Sequence, residues 1–275
     1  MKPIQALLFD LYGTLLHITD AGFQRGVAKL VRAPRGRWAE VLREVLLVRP
    51  FPDRDAFVRA ALEGLGAAGS PEFLAQSRTL LDQELASVLA EPSVHSVLGF
   101  WKRRGLRLGL LTNSGSPFRE PFEALGLAQH FDAAVFSCDA GIKKPDPAIY
   151  RRLLAALAVA PEAALMVGDS LANDVAAPEA LGLRALLIGS AVGRPTLDSL
   201  SDLAWLHLAA DGEMSRLVAT GAPVRLGARS GKLRTLDLLP DSAQGRYNLV
   251  AAAEFGGDDG VCERLFLKRF RHPEA

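Results

Sequence analysis

From Leu106 onwards, strand and helix patterns alternate regularly along the sequence. Apolar runs of strand length alternate with runs of helical periodicity. The predicted strands cover residues 106–111, 133–136, 164–167 and 185–188, and the predicted helices cover 117–125, 147–157, 173–181 and 197–208. Such alternation is typical of α/β proteins whose parallel strands are joined by right-handed helical crossovers. We therefore predict an α/β fold with a parallel sheet.

A long helical segment interrupts this pattern after the first strand. Residues 4–9 are apolar and predict a buried strand, whereas residues from about 21 to 90 show helical spacing without strand signals. Pro71 follows Ser70 in the position favoured at the start of a helix, which we predict to run to Ala90. The sequence thus predicts a core of residues 1–16 and 91–210 with an all-helical insert of about residues 17–90.

The character of the chain changes again beyond about Ser215. Residues 247–255 and 261–270 have strand-like patterns, and the run Gly256-Gly257-Asp258-Asp259-Gly260 between them is a strong turn signal. We predict an antiparallel hairpin centred on residues 256–260, within a small β-rich C-terminal appendage of residues 215–275.

Composition and charge exclude several classes of function. A formal net charge of +1 gives no electrostatic reason to expect a nucleic acid or an anionic membrane as partner. Cys138 and Cys262 lie far apart, which favours reduced thiols in a cytosolic protein. The N-terminus lacks a secretory pattern, and no apolar run is long enough to span a bilayer. We expect a cytoplasmic protein with a small-molecule partner, and we leave a homodimer open.

Polar motifs stand at the ends of the predicted strands. They are Asp10 with Thr14, then Thr112-Asn113-Ser114, then Lys143-Lys144-Pro145-Asp146-Pro147, and finally Gly168-Asp169-Ser170-Leu171-Ala172-Asn173-Asp174. Each alone is ordinary turn or helix-cap chemistry. Because the carboxyl ends of parallel strands meet at one edge of a sheet, we expect these motifs to converge there.

The residues that we expect to converge are suited to binding a cation and a phosphate group. Asp10, Asp169 and Asp174 together offer the oxygen ligands that a hard cation such as Mg²⁺ prefers. Lys144 would offset the repulsion among these carboxylates and keep Asp10 ionised. Thr112 and the backbone amides near Asn113 could hold phosphate oxygens. The arrangement points to phosphoryl transfer, in which a cation and a lysine stabilise developing negative charge.

The order of these motifs resembles that of the haloacid dehalogenase superfamily. Asp-x-x-Gly-Thr, Thr-Asn, Lys-Pro-x-Pro and Gly-Asp-x-x-x-Asn-Asp follow one another within residues 1 to about 210. The resemblance implies a Rossmann-like core with a helical cap inserted after the first strand, which fits the predicted insert.

The resemblance also implies roles for individual residues. Asp10 would be the nucleophile that forms an aspartyl intermediate, and Thr112 and Lys144 would bind the transferred group. Asp10, the Tyr12 carbonyl, Asp169 and Asp174 would hold magnesium. Thr14 and Asn113 join the candidate substrate-binding residues, and Tyr12 is counted with the candidate catalytic residues because of its place two residues after the nucleophile.

Tyr12 is the main departure from the phosphatase pattern. Phosphatases of the superfamily usually carry a second Asp at that place as general acid and base, and a phenol is a poor proton shuttle near neutral pH. Asp-x-Tyr-Gly-Thr resembles the 2-haloacid dehalogenase branch, as does the spacing from Lys144 to Tyr150. Arg43 in the insert would then imitate the arginine of that branch that binds halide or carboxylate.

Asp169 favours a phosphatase over a dehalogenase. The metal-free dehalogenases resemble Ser-Ser-Asn-x-x-Asp in the fourth motif, whereas this chain has an acid in place of the first Ser. A carboxylate there would repel a 2-haloacid unless a cation lay between them. The sequence favours a magnesium-dependent phosphatase of a small phosphorylated metabolite over a dehalogenase. A catalytically impaired binding protein is a third alternative, which the intact set of motif residues disfavours.

Overall fold

The computed structural model describes residues 3–189, 196–197, 200 and 203, and the backbone of four later strands. The chain divides into two compact units, Gln5–Leu200 and a second unit formed by Met1–Ile4 with Ser201–Ala275. No helix among the described residues has the length and apolarity needed to cross a membrane.

The core of the first unit is a six-stranded parallel sheet, as predicted. Its strands are β1 (Ala6–Phe9), β4 (Arg107–Thr112), β5 (Ala133–Phe136), β6 (Ala164–Gly168), β7 (Arg184–Ile188) and β8 (Thr196–Leu197), in the order β5-β4-β1-β6-β7-β8. β1 lies inside the sheet and all four of its residues are fully buried. Helices cover the faces of such sheets, so their inner strands are apolar throughout.

The helices of the core are α5 (Val94–Arg103), α6 (Glu120–Ala124), α7 (Ser137–Ala140), α8 (Pro147–Leu157) and α9 (Ala177–Ala180). The predicted helices 117–125 and 173–181 are each divided. A 3-10 turn, Ser116–Arg119, precedes α6, and a π-type segment, Leu171–Ala176, precedes α9. Pro121 and Pro178 stand in the first turns of α6 and α9, where their missing N–H groups are tolerated.

The prediction that a helix begins at Leu197 was wrong. Leu197 belongs to β8 and pairs in parallel with Ile188 of β7. Most of the remainder of that segment lies outside the described residues.

The insert contains α1 (Gly22–Leu30), α2 (Arg37–Val41), α3 (Arg54–Gly64) and α4 (Pro71–Ala86), with a π-type segment, Leu42–Leu46, after α2. Ser70 caps α4 by accepting a hydrogen bond from the Phe73 amide at 3.2 Å, as the Ser-Pro signal predicted. The insert buries its own apolar cluster, which includes Phe23, Phe57 and Leu81.

The insert is not helical throughout, because a two-stranded antiparallel ribbon links it to the core. β2 (Leu16–Ile18) pairs with β3 (Val88–Ala90), and α4 ends at Ala86 rather than at Ala90. The two segments that connect the core to the insert thus satisfy each other's backbone hydrogen bonds. Strands of only three residues are too short to show a recognisable sequence pattern.

Contacts of the insert with the core concentrate on the loop that follows β4. The Phe51 amide donates to Ser116 Oγ at 2.9 Å, and Arg54 Nε lies 3.0 Å from Glu120 Oε1. A Cβ on Gly115 would lie 2.5 Å from the Phe57 ring, so only glycine allows this aromatic side chain to approach the loop. The insert therefore packs directly beside the Thr112-Asn113-Ser114 motif.

The second unit contains a four-stranded antiparallel sheet in the order β12-β11-β10-β9. Its strands are β9 (Pro223–Leu226), β10 (Arg229–Leu238), β11 (Tyr247–Gly257) and β12 (Cys262–Phe270). The pairing of Gly256 with Cys262 confirms the predicted hairpin, whose turn residues 258–261 lie outside the described residues. The sequence did not predict β9 and β10, where charged residues and Gly231 obscure the apolar alternation.

Candidate active site

Asp10 stands at the carboxyl edge of the sheet, where two neighbouring strands flank it. Phe9 pairs with Leu110 of β4 and with Val167 of β6, and the Asp10 amide donates to the Val167 carbonyl at 3.0 Å. The Asp10 side chain is nearly buried. Strand register therefore fixes this carboxylate between the second and fourth motifs, as the sequence predicted.

Lys144 joins two of the predicted carboxylates. Its Nζ lies 2.7 Å from Asp10 Oδ1 and 2.6 Å from Asp174 Oδ1, and all three side chains are buried. These residues come from loops that are far apart in sequence, so the fold alone assembles them. The ammonium aligns both carboxylates through charge-assisted hydrogen bonds.

Two glycines make room for the acidic side chains. A Cβ on Gly168, at the end of β6, would lie 2.3 Å from Asp174 Cγ. A Cβ on Gly13 would lie 2.2 Å from Asp169 Oδ2, and Gly13 also has a φ of +91°. Both positions require the absence of a side chain, because a real Cβ would displace a carboxylate of the site.

Asn113 holds Lys144 rather than an open subsite. Its Nδ2 donates to the Lys144 carbonyl at 2.9 Å, and its Oδ1 accepts from the Lys144 amide at 2.8 Å. Both ends of the amide are thereby engaged with one backbone residue. Substrate binding by this side chain, which the sequence suggested, would require these two bonds to break.

The loop that carries Asp174 is held by a second set of hydrogen bonds. The Ser170 amide donates to Asp174 Oδ2 at 3.0 Å, and the Asp174 amide donates to the Ser170 carbonyl at 2.8 Å. The buried hydroxyl of Tyr150, on α8, donates to the Asn173 carbonyl. The spacing from Lys144 to Tyr150 thus has a structural meaning, because both residues fix the Asp174 loop.

The electrostatics of the site reflect an excess of negative charge. Burial raises the pKa of Asp10 to about 6, against the lowering effect of Lys144. Although Asp169 is exposed, partial removal of its carboxylate from water raises its pKa, and repulsion by Asp174 adds to this rise. Burial disfavours the charged form of Lys144, but the two carboxylates outweigh it and raise the pKa of its ammonium. Three acids thus surround one cation that keeps its proton.

This donor set fits a divalent hard cation. Asp10, Asp169 and Asp174 each offer an oxygen, and these oxygens lie within 4.8 Å of one another. Three carboxylates and one ammonium leave a charge that a divalent ion would neutralise. The buried Thr14 hydroxyl has no hydrogen-bond partner among the described residues, so it is free to serve a bound group.

The Tyr12 side chain does not have the geometry of a proton shuttle, which corrects its place among the catalytic candidates. Its hydroxyl donates to the Phe118 carbonyl at 2.7 Å, and the two rings pack edge to face at 5.7 Å. Burial, together with the negative charges of Glu84 and Glu120, raises the pKa of its phenol further. The phenol is therefore anchored between the nucleophile loop and the loop after β4.

The described contact of Arg43 is not with the carboxylate cluster. It lies in the π-type segment after α2 with about half of its side chain exposed, and its described ionic contact is with the neighbouring Glu44 at 3.8 Å. Thr112, by contrast, is buried at the end of β4, where the sequence placed it.

The sequence did not single out His17. This exposed residue lies in the middle of β2, directly after the nucleophile loop, and its charge lowers the pKa of Asp169. A lone histidine in a three-residue strand carries no motif, so only the folded arrangement relates it to the carboxylates.

Comparisons with known proteins agree with this site. The family model for haloacid dehalogenase-like hydrolases matches residues 4–182, which include every motif residue of the site. A phosphoserine phosphatase of Thermus thermophilus is 38% identical in an alignment 222 residues long, and the match covers 67% of this chain and 88% of the relative. A phosphoglycolate phosphatase of Rhodospirillum rubrum is 34% identical in an alignment 218 residues long, and the match covers 73% of this chain and 86% of the relative.

A solved structure from the dehalogenase branch is also similar. A 2-haloacid dehalogenase of Pseudomonas syringae superposes with a TM-score of 0.54 at 26% identity, over 73% of this chain and 96% of that one. Similarity therefore extends to proteins of both branches that the sequence motifs suggested.

Proposed function

Because this chain belongs to the haloacid dehalogenase-like hydrolases, we propose that it is a magnesium-dependent phosphatase of a small phosphorylated metabolite. The observation that carries this proposal is the placement of Lys144 between Asp10 and Asp174, with Asp169 completing a set of carboxylates within 4.8 Å. A nucleophile, a fixed cation and a hard oxygen donor set are the parts that phosphoryl transfer requires.

Asp10 is the proposed nucleophile. One of its oxygens attacks phosphorus, the bond from phosphorus to the ester oxygen breaks, and an aspartyl phosphate forms that water later hydrolyses. Lys144 keeps Asp10 ionised and oriented through the 2.7 Å hydrogen bond, and Thr112 binds the transferred group. Asp10, Asp169, Asp174 and the Tyr12 carbonyl would hold magnesium, which supplies charge neutralisation at the phosphoryl oxygens when bound.

The proposed substrates are small phosphate monoesters that also carry a carboxylate. The two phosphatase relatives are named for phosphoserine and phosphoglycolate, and both compounds have this composition. We further propose a cytoplasmic location, the domain boundaries predicted from the sequence, and no role for nucleic acid or membrane. A homodimer is one alternative for the oligomeric state, which light scattering would measure.

Dehalogenation is the rival function, and two observations favour it. A solved dehalogenase is 26% identical to the chain, and Tyr12 stands where phosphatases carry an acid. Asp169 weighs against it, because an exposed carboxylate beside two buried ones would repel a haloacid anion. The intact carboxylates and Lys144 likewise weigh against a chain that only binds its ligand.

A substrate screen tests the proposal. Purified protein is incubated with phosphoserine, phosphoglycolate, 4-nitrophenyl phosphate and 2-chloro acids, with magnesium or with a chelator, while phosphate and chloride are measured. We expect phosphate release that depends on magnesium, that Asp10→Asn abolishes and that Asp20→Asn, a change at an exposed acid, leaves intact. Chelator-insensitive chloride release without phosphate release would establish the rival function, and neither release would favour the binding protein.

A further inference from the structure

The described residues around Asp10 leave the leaving oxygen without an obvious proton donor. Lys144 is clamped between two carboxylates that stabilise its charged form, so it has little tendency to release a proton. The Tyr12 hydroxyl is committed to the Phe118 carbonyl. Asp169 belongs to the carboxylate set that would hold the metal. An alkoxide is a poor leaving group without protonation, so the proposed function requires a further group.

Burial indicates the direction in which the leaving group departs. Lys144 and Asp174 close the inner side of the site, whereas Asp169 is exposed and marks its mouth. In phosphoryl transfer the attacking and leaving oxygens lie roughly in line on opposite sides of phosphorus. A leaving oxygen opposite Asp10 would then lie on the exposed side of the site, where Asp169 stands.

The backbone brings β2 to the same mouth. The Gly13 amide donates to the Leu16 carbonyl at 2.8 Å, so the peptide that links Leu16 to His17 lies against the glycine. Gly13 in turn adjoins the Asp169 carboxylate, which fills the space of its missing side chain. Leu16 is fully buried and His17 is exposed, as alternation along a strand requires.

His17 follows this peptide directly, so its backbone lies beside Gly13 and the adjoining Asp169 carboxylate. An electrostatic interaction with His17 also contributes to lowering the pKa of Asp169. The backbone thus brings His17 to the edge of the carboxylate cluster, with its side chain exposed. Imidazole is the side chain most often used for proton transfer near neutral pH.

We propose that His17 is the general acid and base of this enzyme, a role that Tyr12 cannot fill. When the bond from phosphorus to the ester oxygen breaks, the imidazolium gives its proton to the leaving alkoxide. The neutral imidazole then takes a proton from the water that attacks the aspartyl phosphate, which releases phosphate and restores both Asp10 and the imidazolium. The sum is one ester and one water converted to one alcohol and one phosphate. This inference rests on the proposed phosphatase function.

The test compares leaving groups, because a merely structural role would affect all substrates alike. The value of kcat/KM is measured for wild type and His17→Gln with 4-nitrophenyl phosphate, whose phenolate leaves readily, and with phosphoglycolate, whose leaving group is an alkoxide. We expect His17→Gln to lower kcat/KM for phosphoglycolate by about 10²–10⁴-fold. The loss with 4-nitrophenyl phosphate should be less than about tenfold.

Two controls make the outcome specific. His95→Gln, at an exposed histidine on α5, should leave both values of kcat/KM unchanged. Magnesium affinity of His17→Gln, measured by calorimetry, should match that of wild type. Equal losses with both substrates, no loss with either, or a tenfold loss of magnesium affinity would each overturn the role of His17 while leaving the phosphatase function intact. Absence of phosphate release by wild type would overturn both.

Discussion

The carboxylate of Asp169 occupies the space that a side chain on Gly13 would need. A Cβ added to Gly13 would lie 2.2 Å from Asp169 Oδ2 and 2.6 Å from its Cγ. The turn after the nucleophile and the fourth motif thus meet at a contact that admits no substituent. Asp169 can therefore keep its place only while position 13 carries no side chain.

Gly13→Ala should therefore disable the site. The added methyl group would push Asp169 away from the cluster, and a displacement of about 1 Å can cost about 10²-fold in rate. We expect magnesium affinity and kcat to fall together, as measured by calorimetry and phosphate release.

Gly36→Ala is the matched control for this change. Gly36 has a φ of +86°, close to that of Gly13, but nothing lies within 4 Å of an added Cβ. Gly36→Ala should lower the free energy of unfolding by only about 1–2 kcal/mol, because alanine is unfavourable in a left-handed backbone conformation. Equal activity losses in the two variants would contradict a specific contact between Gly13 and Asp169.

Lys144→Met should remove activity and stability together. Loss of the ammonium leaves Asp10 and Asp174 buried without their partner, and breaking a buried ion pair typically costs about 3–5 kcal/mol. Urea unfolding and phosphate release measure the two effects. Lys143→Met changes the partly exposed neighbour and should be nearly neutral, so comparable losses in both variants would refute the central role of Lys144.

Asn113→Ala should lower kcat more than it raises KM. The two hydrogen bonds of Asn113 hold the Lys144 backbone, so their loss misplaces the ammonium without removing a substrate contact. Steady-state kinetics separate the two parameters. A large increase in KM at unchanged kcat would restore Asn113 to the substrate-binding residues.

Tyr12→Phe should be almost silent in catalysis. The hydroxyl bonds to the Phe118 carbonyl, so its removal should cost about 0.5–1.5 kcal/mol of unfolding free energy and leave kcat/KM within about threefold. Chemical denaturation and kinetics provide the two measurements. A loss of about 10²-fold or more would mean that the phenol takes part in proton transfer.

Glu84 should make stability depend on pH. Burial raises its pKa from the ordinary value of 4.5, against hydrogen bonds from Gln24 that favour the ionised form. The folded state therefore holds this proton at higher pH than the unfolded chain, and stability is lost as pH rises from 4.5 through the raised pKa. Relative to Glu84→Gln, which does not titrate, wild type should lose unfolding free energy over this range and then level off.

Urea unfolding at several pH values between about 4.5 and 7.5 measures this difference. Glu63→Gln, at an exposed acid on α3, is the control and should show no such trend. A difference between wild type and Glu84→Gln that stays constant with pH would contradict the raised pKa.

The parallel sheet and the convergence of the motif residues could be predicted from the amino-acid sequence. Apolar runs such as Ala6–Phe9 can be buried only inside a covered sheet, and parallel strands necessarily deliver their following residues to one edge. Asp10, Lys144, Asp169 and Asp174 were therefore predictable as a cluster. Their chemistry depends on residue type and strand order, both of which can be read along the chain.

The hydrogen-bond partners of the individual side chains became known only from the three-dimensional structure. Tyr12 bonds to Phe118, which lies 106 residues away, and Asn113 bonds to Lys144, which lies 31 residues away. Arg43 is a half-exposed residue of the insert, and the start of β2 bonds through the Leu16 carbonyl to the Gly13 amide. Hydrogen-bond partners at such separations depend on how the insert packs against the core, and no local pattern encodes that packing.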